Sequence, residues 1–276
     1  MNVPHLTLND GHEIPQFGFG VFKVSNDDIV ASVRTALEAG YRHIDTAAVY
    51  GNEAGVGQAI RESGIPREDL FVTTKLWNDS QTPGKARAAI EESLTRLGLD
   101  HVDLYLIHWP QPMFGEYVGA WESLIAFRDE GLTTSIGVSN FNADHLDAVI
   151  AATDVVPAVN QIELHPTFAQ PDLVAYDESL GIRTEAWGPL GQGRGELDEP
   201  GIVAVAAEVG RTPAQVTLRW HIQRGIIVFP KSVTPHRIEE NFAIFDFELT
   251  DAQMAAMDAL DAGRRGGADP LAFTAR

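Results

Sequence analysis

The 276-residue chain carries 39 acidic against 20 basic side chains, a formal charge of -19 that repels phosphate at long range and excludes nucleic acid and anionic membrane as general partners. Apolar residues make up 44% and charged residues 21%, the balance of a soluble protein with a sizeable core, and the length suits one large α/β barrel or two modest domains. There is no cysteine, which removes disulfide and thiolate chemistry.

The N-terminus shows no basic region followed by an apolar run, and no segment reaches membrane-spanning length, so a cytoplasmic protein is expected. Leu6-Thr7-Leu8 and Glu13-Ile14 flank Asn9-Asp10-Gly11, a turn signal that predicts a hairpin ahead of the main fold, suited to capping a barrel bottom. Eight short apolar runs follow, near residues 16–19, 42–45, 70–75, 103–108, 135–138, 158–162, 183–187 and 226–229. Helical patterns alternate with them, beginning near Asn26, Glu53, Pro83, Glu116, Ala143, Gln170 and Pro213, with an extra one from about Pro200. Thr82-Pro83, Thr212-Pro213 and Thr234-Pro235 mark helix starts, since threonine accepts from free backbone N–H groups and proline fits the first turn. Thr250 and Gln253 form a capping-box pattern for a last helix from Asp251, and residues 262–276 are expected to run over one barrel end. This alternation predicts a single (β/α)8 barrel over residues 1–276. A doubly wound sheet is set aside because Gly18-Phe19-Gly20 and Gly55-Val56-Gly57 both lack the third glycine of a dinucleotide fingerprint.

Active sites of such barrels lie at the C-terminal strand ends, where Asp45, Lys75 and His108 close three successive predicted strands and Tyr50 lies in the turn after the first of them. A buried Asp45–Lys75 ion pair that merely fixes register, with His108 in the core beside Trp109 and Pro110, explains the same residues. The alternative is proton delivery by Tyr50. A free phenol has a pKa of about 10 and burial raises it, so a close cation must offset desolvation. Lys75 is the candidate, kept charged by Asp45, with His108 orienting a substrate oxygen or sharing the proton. His43 and Asp45 make an isolated His-x-Asp pair among scattered histidines, and no metal site is expected.

The later strands offer an anion cradle. After Phe229 the chain passes Lys231, Ser232 and Val233 and enters a helix at Thr234-Pro235, with Arg237 in its first turn. Two cations in an acidic protein suit a phosphomonoester such as the 2′-phosphate of NADP, or simply form a solvated basic patch. The glycine-rich residues 188–195 are suited to folding over a pyrophosphate and equally to a plain surface loop. Trp187 offers a face for a nicotinamide ring or for core packing, and Ser139, Asn140 and Gln161 offer groups for a carboxamide, although Asn140 or Asn142 also suits a helix cap.

With these residues in view, the chain resembles the aldo-keto reductase family over nearly its whole length. Residues 40–57 match its first motif, Ile136-Gly137-Val138-Ser139-Asn140-Phe141 its second, and Pro230-Lys231-Ser232 through Arg237, Glu240 and Asn241 its third. The resemblance implies a catalytic tetrad of Asp45, Tyr50, Lys75 and His108. It implies NADPH held by Ser139, Asn140, Gln161, Trp187, Gly188, Leu190, Gln192, Gly193, Lys231, Ser232, Val233, Arg237, Glu240 and Asn241, with hydride passing to a carbonyl carbon while Tyr50 protonates the oxygen. Trp187 stands where many members have tyrosine, Phe22 where many have tryptophan, Thr134 where a basic residue is usual and Phe229 where an aliphatic is usual. Trp187, Phe22, the His108-Trp109-Pro110 run and the short tail are most similar to bacterial 2,5-diketo-D-gluconate reductases. That likeness implies a monomer and a small ketone, aldehyde, dicarbonyl or keto-sugar acid contacted by Phe22, Tyr50, Trp77, His108 and Trp109. Histidine rather than glutamate at position 108 argues against the family's steroid double-bond reductases. Two competing expectations are a nicotinamide-binding regulatory subunit without turnover and a Schiff-base aldolase using Lys75 or Lys231.

Overall fold

The computed structural model describes residues 3–276. A two-stranded hairpin, β1 (His5–Thr7) and β2 (Glu13–Pro15), precedes eight strands: β3 (Phe19–Gly20), β4 (His43–Asp45), β5 (Phe71–Leu76), β6 (Val102–Ile107), β7 (Thr133–Ser139), β8 (Val159–Glu163), β9 (Arg183–Trp187) and β10 (Ile227–Val228). Helices α1 (Ile29–Ala39), α2 (Glu53–Ser63), α3 (Pro83–Leu97), α4 (Tyr117–Asp129), α5 (Ala143–Thr153) and α6 (Pro171–Ser179) follow β3 to β8 in turn. After β9 come α7 (Pro200–Val209) and α8 (Pro213–Gln223), and after β10 come α9 (Pro235–Phe242) and α10 (Asp251–Asp258).

The eight strands pair in sequence order, each parallel to its neighbour. The two edge strands then meet: Phe17 bridges Val228, and Gly18 N donates to Val228 O at 3.0 Å while Val228 N donates to Gln16 O at 3.1 Å. Closure leaves no open sheet edge and gives every strand the same direction, so all the strand-to-helix turns gather on one rim. The first barrel strand is Phe19–Gly20, shorter than the expected 16–19 run, because Gln16, Phe17 and Gly18 are the residues that make the seam with β10.

Two apolar layers hold the barrel. Outside, the strands pack on the inner faces of the helices through fully buried Trp121, Tyr105 and Phe141. Inside, Leu104, Leu106, Val159, Ile227 and Phe229 fill the lower barrel, and the hairpin closes it with Leu8 and Ile14. Burying side chains of this size contributes about 1.5–3 kcal/mol each, so the hairpin is held mainly by what it covers.

Helix entries differ from expectation in two ways. The first helix starts at Ile29, later than Asn26, because Asp28 N donates to Ser25 Oγ at 3.2 Å and Ile29 N to Ser25 O at 3.0 Å, which spends residues 25–28 on a turn. Thr212 and Thr250 cap their helices by accepting from Gln215 N and Gln253 N. Thr82 and Thr234 are extended at the N-cap position but make no side-chain cap bond. The start of α9 is therefore less satisfied internally than the threonine-proline pair suggests.

Candidate active site

Asp45 ends β4 and Lys75 lies next to last in β5, both pointing into the upper barrel. Lys75 is fully buried and its ammonium is committed: Nζ donates to Asp45 Oδ1 at 2.8 Å, to Asp45 Oδ2 at 2.7 Å and to Thr46 O at 2.8 Å. Tyr50 ends a single 3-10 turn (Ala48–Tyr50) in the loop after β4. Asn52 anchors that loop, donating to Val21 O and Val24 O and accepting from Thr46 Oγ1. The Lys75 ammonium lies 5.4 Å from the centroid of the Tyr50 ring. His108, just past β6, packs edge-on to Tyr50 at 5.8 Å and to Trp77 at 5.1 Å between ring centroids. Four side chains from three adjacent strand ends thus meet, because strands about 5 Å apart carry them in the same direction.

Electrostatics separate their states. Burial alone would lower Lys75, but the charges of Asp45 and Tyr50 outweigh it and hold the ammonium above its ordinary value. Burial raises the Tyr50 phenol; the nearby Lys75 charge pulls it down and Asp45 pushes it up, leaving it at about 12. Lys75 therefore offsets desolvation only in part, which corrects the expectation of a phenol brought towards neutrality. Tyr50 stays protonated across the physiological range and suits a donor better than a base. Burial, aided by the Lys75 charge, keeps His108 well below the usual histidine range. A neutral imidazole can orient an oxygen by hydrogen bonding, whereas sharing the proton as an imidazolium is not available to it.

A second carboxylate escaped the sequence reading. Gln161, in β8, donates from Nε2 to Asp45 Oδ2 at 3.0 Å and to Glu185 Oε2, in β9, at 2.9 Å. Burial, with the neighbouring Asp45 charge, pushes Glu185 up to about 8. The signal was its place in the alternation Arg183, Glu185, Trp187, which aims one set of side chains to the same face.

The remaining cofactor candidates divide into two regions. At the strand ends, Ser139 Oγ donates to Gln161 O at 2.8 Å, and Asn140 Nδ2 donates to His108 O at 2.9 Å while its Oδ1 accepts from Trp187 Nε1 at 2.8 Å. Asn140 takes a φ of +62°, off the helix path, and Asn142 instead forms the capping box of α5 with His145. With both amide hydrogens of Gln161 committed to carboxylates, its oxygen is the atom left for a ligand. Residues 188–195 turn through positive φ at Gly188, Gly191, Gln192, Gly193 and Gly195, with Leu190 half-buried. Farther out, Lys231, Val233 and Arg237 are exposed, and among the described residues neither cation pairs with a carboxylate. Ser232 Oγ accepts from Thr234 N at 3.1 Å. Glu240 accepts from Thr212 Oγ1 at 2.8 Å, and Asn241 is buried beside it in α9. Unpaired cations beside an uncapped helix start fit a phosphate group, and the anchored indole with the Gln161 oxygen fits a flat amide-bearing ring.

Aromatic rings line the other side of the opening. Phe22, 42% exposed, tilts over Tyr50 at 5.0 Å, and Trp77 and Trp109 stand across the opening. The tail, expected to cross one barrel end, crosses this one: Phe273 packs on Trp109 at 4.3 Å, and Ala275 O accepts from Asn78 Nδ2 at 2.8 Å and Gln111 Nε2 at 2.9 Å. No local sequence signal tied Phe273 to those rings. A shallow depression of about 510 Å³, lined by Asp10, His12, Arg128 and Thr134, lies at the opposite barrel end and shares no residue with the rim. Among the described residues there is no group of acidic or histidine side chains arranged to hold a metal ion.

A model of the aldo/keto reductase family matches residues 16–262. The chain is 49% identical over 269 residues to methylglyoxal reductase DkgA of Salmonella typhimurium, covering 97% of each. It is 52% identical over 270 residues to an aldo-keto reductase of Mycolicibacterium smegmatis, covering 98% of each. Among solved structures it resembles a mutant of Gox0644 in complex with NADPH, with a TM-score of 0.95, 44% identity, and coverage of 99% of this chain and 100% of that one.

Proposed function

The chain belongs to the aldo/keto reductase family, and from that premise we propose that it is an NADPH-dependent reductase of small carbonyl compounds in which Tyr50 gives the substrate oxygen its proton. The observation that carries this reading is a phenol kept protonated near neutrality beside a locked ammonium, at a rim that also bears an anchored indole and two unpaired cations.

NADPH, when bound, supplies the hydride. Lys231, Ser232 and Arg237 would hold its extra phosphate, the loop after β9 with Gly188, Leu190, Gln192 and Gly193 its pyrophosphate, and Ser139, Asn140, Gln161 and Trp187 its nicotinamide end. Val233, Glu240 and Asn241 would complete the outer part of the site.

The chain's own groups then manage one proton. Neutral His108 orients the carbonyl oxygen towards the Tyr50 hydroxyl, which donates as negative charge grows on that oxygen. The phenolate left behind is stabilised by Lys75, which Asp45 keeps charged through two bonds below 3 Å. Phe22, Trp77 and Trp109 exclude water, which strengthens each of these interactions. The likeness to methylglyoxal reductase DkgA and the aromatic lining of the opening favour α-dicarbonyls as the substrate class.

Mixing protein and NADPH with methylglyoxal and a panel of dicarbonyls and aldehydes is expected to lower absorbance near ~340 nm. Tyr50→Phe is expected to stop turnover by at least ~100-fold while NADPH still binds. Full activity in Tyr50→Phe would remove the phenol from the reaction, and binding without turnover in the wild-type protein would favour a regulatory role.

A further inference from the structure

A buried cluster of ionisable groups lies beside the rim and has no part in the chemistry above. Glu163, the last residue of β8, faces His165 two residues on, with His165 Nε2 at 3.3 Å from Glu163 Oε1 and His165 Nδ1 at 3.4 Å from Glu196 Oε2. All three are nearly buried, at 3%, 5% and 8% exposure. Burial opposes charge on His165, but the two carboxylates outweigh it and raise it to about 9, so cation and carboxylates are charged together near neutral pH.

The cluster ties three separate segments to one point. Glu196 belongs to the stretch that ends the loop after β9, and it accepts from Thr167 N at 3.0 Å and Thr167 Oγ1 at 2.7 Å. Thr167 O in turn accepts from Ala262 N and Arg264 N of the tail. Glu163 receives two further tail amides: Gly266 N donates to Oε1 at 2.8 Å, and Gly267 N donates to Oε1 at 3.0 Å and Oε2 at 2.9 Å. This brings Gly267 against the indole of Trp187. A Cβ at residue 267 would lie well inside contact distance of Trp187 Cη2 and 3.1 Å from Glu163 Oε2. The indole has little room to yield, because its other edge is held by the 2.8 Å bond from Nε1 to Asn140 Oδ1.

We propose that Glu163 and Gly267 are positioning residues for Trp187: the carboxylate draws the tail backbone onto the outer edge of the indole, and the missing side chain at 267 lets it sit there. The tail thereby belongs to the cofactor side of the rim as well as to the substrate side. Charge on His165 keeps Glu163 ionised, and only an ionised carboxylate accepts from both tail amides and the imidazole at once. The consequence for ligand binding rests on the assignment of Trp187 to the nicotinamide end; the positioning itself does not.

The test uses full-length protein with 15N-labelled indoles, the Trp187 N–H signal being identified by its loss in Trp187→Phe. In ligand-free protein, Gly267→Ala and Glu163→Leu are expected to shift that signal and speed its hydrogen exchange about tenfold, as the bond to Asn140 loosens. With NADPH added, Gly267→Ala is expected to raise the Kd about tenfold in the wild-type background and less than about twofold in Trp187→Phe, since neighbours in contact couple and the smaller ring leaves room for the Cβ. An unmoved Trp187 signal in both variants overturns the proposal, as does an equal loss of NADPH affinity with and without the indole. Failure of the wild-type protein to bind NADPH would refute the proposed function instead, and the ligand-free indole signal would still decide the positioning.

Discussion

Replacing Lys75 by methionine removes one half of a fully buried ion pair and should separate its structural from its chemical role. The ammonium makes three bonds, two to Asp45 and one to Thr46 O, all between 2.7 and 2.8 Å. In Lys75→Met the Asp45 carboxylate keeps only the bond from Gln161 Nε2 among those described, at 3.0 Å, in a site with little water. Losing one partner of such a pair costs about 3–5 kcal/mol. The phenol suffers as well: with 5.4 Å between ammonium and ring centroid and an effective dielectric of about 20, the lost attraction is on the order of 3 kcal/mol, which moves the Tyr50 phenol further up. Urea unfolding followed by tryptophan fluorescence near neutral pH measures the first effect, and NADPH oxidation with a dicarbonyl measures the second. Lys75→Met/Asp45→Asn, which has no unpaired charge, is expected to recover most of the stability and none of the turnover. A single variant within about 1 kcal/mol of wild type, or a double variant no more stable than the single, would refute the buried-pair account. Retained turnover in Lys75→Met would refute the lysine's part in proton donation.

Lys231→Met and Arg237→Met are each expected to weaken NADPH about tenfold and leave NADH nearly unchanged, with the loss shrinking at high salt because both cations are exposed; fluorescence titration at two ionic strengths checks it, and equal losses for both dinucleotides would contradict the phosphate assignment. Glu185 rises from 4.5 to about 8 on burial, so the stability it contributes is full below its unfolded value and is lost as pH climbs through about 8. Glu185→Gln should therefore gain on wild type between those limits, by at most about 5 kcal/mol, and a pH-independent difference in denaturant unfolding would show that the carboxyl does not hold its proton. His165 follows the same sign: raised to about 9, it stabilises fully below about 6.5 and loses that contribution as pH rises through 9, so His165→Gln should flatten the alkaline side of the stability profile, and an unchanged profile would mean that the Glu163 and Glu196 pairs contribute nothing.

Spacing along the chain was enough for the alternation of strands and helices, the hairpin at Asn9-Asp10-Gly11, and the placing of Asp45, Lys75 and His108 at neighbouring strand ends, because strand period, turn chemistry and helix punctuation act over a few residues. It also carried the sign of the Lys75 effect on Tyr50. Three things came only with the tertiary structure: Gln161 reaching across the barrel to Asp45 while holding Glu185 of the next strand, Phe273 and Gly267 returning from the far end of the chain onto Trp109 and Trp187, and the balance that leaves the Tyr50 phenol at about 12. Desolvation sums over everything that closes around a group, and a contact between residues 163 and 267 depends on where every intervening turn points. Neither quantity is a property of any short stretch, which is why residue types and order stopped at the sign and the folded chain supplied the size.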